Sequence, residues 1–243
     1  MKEGKDCSLR WHLAARVRIP VAAVVLGAFA LPCLLAGCSQ DPPTASVVTT
    51  SESSIEFPAI VTAAGFDEES DMAGYHFIVW HDGRAAARSL FRAEVSDVQV
   101  LNAIEALGAV PGNALSIDTW DDRYEPGSTA PDKHVEGPPV NLYVIVPGQS
   151  EPLGLEEILV DPGRRGFDMR FGGHRANIDQ WHSGCVVCLY SCPGSKIGNA
   201  SYTVREFVDG ATRFRVRPGV LPEDGTEVTI RVELAGDGTE ASP

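Results

Sequence analysis

From residue 19 to residue 36 the chain reads IPVAAVVLGAFALPCLLA, an apolar run without a charge, and this run decides which part of the sequence is left to fold. Ahead of it stand Lys2, Lys5, Arg10, Arg16 and Arg18 against only Glu3 and Asp6. Behind it comes Leu35-Ala36-Gly37-Cys38, where small side chains let a peptidase reach the backbone. A positive start, an apolar stretch and a small-residue cleavage site form a secretory signal. The run is close to the length that spans a bilayer, but Pro32 and the Leu-Ala-Gly-Cys ending favour cleavage over a permanent helix. The sequence therefore predicts that residues 1–37 are removed and that Cys38, whose thiol can accept a diacylglycerol, becomes the new N-terminus. No Arg-Arg pair precedes the run, so export by the general route, in an unfolded state, is expected.

This segment resembles bacterial lipoprotein signals, which implies a protein anchored by lipid to the extracytoplasmic face of a cell membrane. Loss of residues 1–37 takes away five Lys/Arg and two Asp/Glu, leaving 206 residues with 15 basic and 31 acidic side chains and a net charge of −16. Such a field repels nucleic acid and anionic headgroups. Nucleic acid is excluded as a partner, and membrane attachment is left to the lipid on Cys38.

Residues 38–54 are rich in Ser, Thr and Pro and lack hydrophobic periodicity, as a flexible tether would. Hydrophobic residues return from 55 to 235, a length that suits one domain with a core of its own. Residues 236–243 read as a disordered tail. Strand signals recur at residues 75–80 and 140–146, which are rich in aromatic and β-branched side chains. Residues 227–234 alternate, with Val228, Ile230, Val232 and Leu234 on one face, and residues 212–217 do the same with Phe214 and Val216. These last two look like antiparallel strands with one buried face. One helix is expected over about 96–108: Ser96 as N-cap, Gln99 completing a capping box, and Gly108 as the stop. A short second helix is expected near residues 154–159. Together these predict an α+β fold, predominantly antiparallel β with one clear helix.

The chemistry concentrates in His182-Ser183-Gly184-Cys185-Val186-Val187-Cys188-Leu189-Tyr190-Ser191-Cys192-Pro193. Its three cysteines fall as C-x2-C-x3-C-P, the last part of the bacterial ferredoxin run. His182 stands where that run has its first cysteine. Three thiolates and an imidazole make a complete tetrahedral set, so His182, Cys185, Cys188 and Cys192 are the predicted ligands of an iron–sulfur cluster or of zinc. The cluster holds only three cysteines and no second set exists, which departs from two-cluster ferredoxins. Cys185 and Cys188 also have the C-x-x-C spacing of dithiol oxidoreductases, and thiols outside the cytoplasm tend to oxidise. His174 is a further candidate ligand, with a solvated or hydrogen-bonded turn residue as its alternative. Asp118, Asp121, Asp122 and Glu125 crowd around Trp120 and read as a solvated acidic loop rather than a calcium site. No G-x-S-x-G, H-E-x-x-H or phosphate-binding loop is present, which gives an enzyme no support.

Several pieces in order resemble the YdjY-like domain, a family of exported bacterial proteins. They are Ile55-Glu56-Phe57-Pro58, Gly83 with Ser89-Leu90-Phe91, Asn102-Ala103-Ile104 through Leu107-Gly108-Ala109, and Pro111-Gly112. Pro131-Asp132 with Gly137, Phe171-Gly172-Gly173, and Pro222 with Gly225-Thr226 continue the likeness across nearly all of 55–235. Some members are described as ferredoxin-like, so the resemblance implies metal or iron–sulfur binding and no particular reaction. Two functions follow. One is a lipid-anchored metal or iron–sulfur protein accessory to membrane-side electron transfer, with an envelope redox protein as partner. The other is a non-catalytic envelope domain with structural or redox-active disulfide cysteines.

Overall fold

The computed structural model describes residues 47–67, 74–121, 132–203, 205–206 and 213–235. The signal segment, Cys38 and the tail from 236 lie outside the described residues, as do Asp122 and Glu125. Among the described residues no helix is long and apolar enough to cross a membrane.

Twelve strands follow in chain order. They are β1 (Thr49–Thr50), β2 (Ser54–Val61), β3 (His76–Trp80), β4 (Ser89–Ala93), β5 (Val140–Ile145), β6 (Leu153–Gly154), β7 (Leu159–Val160), β8 (Met169–Phe171), β9 (Cys185–Cys188), β10 (Ile197–Asn199), β11 (Arg215–Val216) and β12 (Glu227–Leu234). Ten of them form one sheet in the order β6-β5-β12-β2-β4-β3-β9-β10-β8, with β1 pairing to β2, while β7 and β11 form a separate pair. The sheet curls. Arg170 in β8 bridges to Pro139, just before β5, and the Phe171 N–H donates to the Pro138 carbonyl at 2.9 Å.

In β2, β5 and β12 burial alternates residue by residue, the period expected of strands with one face on a core. The registers align Phe57, Ile230 and Val144 in one row and Ile55, Val232 and Leu142 in the next. On the outer face Arg231 pairs with Glu56 at 2.6 Å. By contrast β9 is buried at every position, and β3 at all but its last.

The helix expected at Ser96 forms as α2 (Asp97–Ala106), the second after α1 (Ala63–Asp67). Both halves of its capping box are present, and Gly108 follows its C-cap at φ +90°. It buries Val100, Leu101 and Ile104. The expected fold class, however, needs correcting. The protein is mostly β, and its large sheet is mixed, since β3 runs parallel to β4 and β9 parallel to β10. Among the described residues the other α-helical elements, α1, α3 (Ile117–Asp121), α4 (Leu155–Ile158) and α5 (Ile178–Trp181), are single turns. Alternation reports that a face is buried but not the direction of the neighbouring strand, and turns of four or five residues are too short for a helical period to show. Within 212–217 only Arg215–Val216 is a strand, β11, and it pairs antiparallel with β7.

Candidate metal centre

The centre is built on the antiparallel pair of β3 and β9, in which His76 stands opposite Cys188 and Val79 opposite Cys185. Two cysteines three apart on a regular strand point to opposite faces. The register here shifts between Ile78 and Val79, leaving Val186 as an extra residue on β9. A second shift lies between His76 and Ile78; a bulge interrupts the strict alternation, and Cys185 and Cys188 face the same side. His76, on the facing strand, completes the group: its Nδ1 lies 3.6 Å from the Cys185 Sγ. The ligand atoms of His76, Cys185 and Cys188 all lie within 4.8 Å of one another, and all three residues are buried. Two backbones meet closely at the entrance to β9. Gly184, at φ +67°, would place a Cβ 2.5 Å from the Gly83 Cα, so no larger residue fits.

Burial sets the protonation of these groups. It lowers the His76 pKa to about 3, with the Arg88 charge adding to the effect. The imidazole is therefore neutral, with one ring nitrogen carrying a free lone pair. Burial, then the adjoining Cys185 thiol, pushes the Cys188 thiol well up. The Cys192 thiol is pushed up first by its hydrogen bond with Cys188 and then by burial. Such thiols stay protonated at neutral pH unless a cation stabilises the thiolate. A coordinated divalent ion does so outright, and binding then releases protons.

The chain continues from β9 into a segment that is irregular yet wholly inside the protein: every residue from 184 to 199 is buried. Its backbone groups need partners, and neighbouring side chains supply them. Three successive carbonyls are satisfied in this way: Pro193 accepts from Asn177 Nδ2 at 2.8 Å, Gly194 from Ser183 Oγ at 3.1 Å, and Ser195 from the His174 ring at 3.0 Å. A carbonyl only accepts, so His174 Nδ1 carries the proton. Ser191 Oγ accepts from the Val135 N–H at 2.9 Å. The Cys192 Sγ accepts from the Gly194 N–H at 3.4 Å. Gly194 is obligatory by packing, because a Cβ would sit 2.4 Å from the Trp181 ring. Lys196, fully buried, pairs with Asp97 in the first turn of α2 at 3.3 Å.

Of the four ligands predicted from the sequence, Cys185 and Cys188 come together with His76. Cys192 is buried beside Cys188 but outside the convergent trio. All three are free thiols. His182 is exposed; it sits in left-handed conformation at the end of α5, where its carbonyl accepts the Arg84 N–H at 3.2 Å. The imidazole of the group is thus His76 and not His182. His174 is neither solvated nor a member of the group; burial lowers its pKa to about 4. The missed residue was legible in one respect. His76 interrupts an otherwise aromatic and apolar strand, and a polar side chain there must find a partner.

A YdjY domain family model matches residues 47–233. The chain is also 30% identical over 161 residues to "Uncharacterized protein YdjY" of Escherichia coli (strain K12), covering 66% of this chain and 67% of that protein. No solved structure matches the chain. The chain belongs to the YdjY domain family.

Proposed function

We propose that this protein is an exported, lipid-anchored metal-binding protein that holds one soft divalent ion of the zinc type through His76, Cys185 and Cys188. Anchoring is supported by the signal pattern of residues 1–37 and the thiol of Cys38. The observation that carries the metal reading is the mutual approach of the three ligand atoms to within 4.8 Å inside the core. A Zn–S bond near 2.3 Å places tetrahedral ligand atoms about 3.8 Å apart, so the group fits a single ion after small adjustment. A 4Fe–4S cluster seats each thiolate on a separate iron and needs them farther apart, and a 2Fe–2S centre needs four protein ligands where three converge. The neutral imidazole and two thiols suit a borderline-soft metal better than calcium or magnesium, which take oxygen ligands.

The test is metal and acid-labile sulfide analysis of the full chain, purified without a polyhistidine tag and without air. The expected result is one ion per chain, without sulfide, lost when Cys185→Ser and Cys188→Ser are combined. Iron with stoichiometric sulfide would replace the single-ion reading with a cluster. A protein that stays metal-free after anaerobic reconstitution would end it in favour of thiol–disulfide chemistry at the same cysteines.

A further inference from the structure

Three protein ligands leave a four-coordinate ion one position short, and a cavity adjoins the group. It measures about 330 Å³ and is lined in part by His76 and Cys185 themselves. Its rim residues Arg84 and Gln180 are exposed, so it opens to solvent. That volume is at the small end of ligand-binding pockets.

The lining specifies what enters. Arg88, at the end of the 3-10 turn Ala86–Arg88, contributes a guanidinium whose Nε is buried without a hydrogen-bond partner. A guanidinium in a cavity wall suits an anionic acceptor from the ligand. Arg84 adds a second positive charge at the rim. The opposite character comes from Trp120 and Trp181, whose rings meet edge to face at 5.1 Å. Cys192 also lines the cavity, but its Sγ is engaged by the Gly194 N–H and lies outside the convergent trio. Its Sγ also hydrogen-bonds with Cys188, and an outside ligand competes with it for the fourth position.

We propose that the cavity binds a small organic carboxylate, one oxygen taking the fourth position on the metal and the other accepting from the Arg88 guanidinium, with the apolar body against the Trp120–Trp181 pair. This rests on the metal reading above. The test uses the full chain loaded with Co²⁺, whose visible absorption reports its ligands, titrated with benzoate and, separately, with neutral benzamide. Saturable spectral change with benzoate and none with benzamide is expected. Arg88→Gln should bind Co²⁺ at the parent stoichiometry but weaken benzoate on the order of tenfold, the loss of one charge-assisted hydrogen bond. Cys192→Ser should leave the benzoate response intact. Stoichiometric Co²⁺ with no response to benzoate, or an equal response to benzamide, overturns the carboxylate site alone. Loss of the thiolate-to-cobalt band intensity in Cys192→Ser would show a closed four-ligand site and also overturn it. Failure to bind Co²⁺ overturns both readings.

Discussion

The strands β2, β5 and β12 and the buried segment from 184 to 199 are both core, and they are held in opposite ways. In the three strands each second residue faces inward, and rows such as Phe57–Ile230–Val144 stabilise the sheet through apolar contact. Their backbone groups satisfy one another along the ladders. The segment 184–199 has no outward face at all. Between β9 and β10 it leaves the ladder, and the carbonyls of Pro193, Gly194 and Ser195 depend on Asn177, Ser183 and His174, each reaching in from residues 174–183. The lesson is about error tolerance. The sheet rests on many interchangeable contacts, while the segment rests on a few polar groups, each of which leaves a buried atom unpaired when it is lost. That rigidity is what a set of converging ligands needs.

The contrast can be broken by substitution. Lys196→Met leaves Asp97 charged and buried and should cost about 3–5 kcal/mol, read by urea denaturation. Adding Asp97→Asn should restore much of it, because no charge is then stranded. Ile230→Ala, in the sheet, should cost about 2–5 kcal/mol through its cavity, with no such rescue by a polar partner. If Lys196→Met costs under about 1 kcal/mol, the segment is not held by its polar groups.

Acid should distinguish the regions next. His174 and His76 are held neutral, with pKa values of about 4 and about 3 against an ordinary 6.5. A depressed folded pKa gives stability that is complete above pH 6.5 and is lost as pH falls toward the folded value, because the unfolded chain takes up the proton first. For metal-free protein the loss by pH 5 should be about 2 kcal/mol per histidine. His174→Asn, which tolerates the left-handed φ of +48° at that position, should remove about half of the slope; an unchanged slope would mean His174 titrates normally. Asn177→Ala should cost about 1–3 kcal/mol by stranding the Pro193 carbonyl. Ser96→Ala, at the cap of α2, should cost about 1 kcal/mol and leave metal content untouched.

The same contrast explains what the sequence made legible. The alternation of 227–234 and the capping box at Ser96 are local patterns, and both elements stand where they were expected. Cys185 and Cys188 were also legible from their C-x2-C spacing, although the bulge is what turns both to one side. His182 was chosen by that rule and is exposed. The histidine that reaches the sulfurs is 109 residues away in the chain, and only the pairing of β3 with β9 brings it there. Strand pairing between distant segments, parallel or antiparallel, leaves no local period to read. The bulge at Val186 leaves none either, although it aligns the two thiols.

The choice between the two histidines is the most direct test of the site. Zinc stoichiometry and competition affinity should be measured for His76→Asn and His182→Asn, with far-UV circular dichroism confirming that each folds. The account predicts that His182→Asn binds one ion as the parent does, and that His76→Asn loses stoichiometric zinc. Retention of zinc by His76→Asn together with its loss from His182→Asn would contradict the account and move the site to the exposed end of α5.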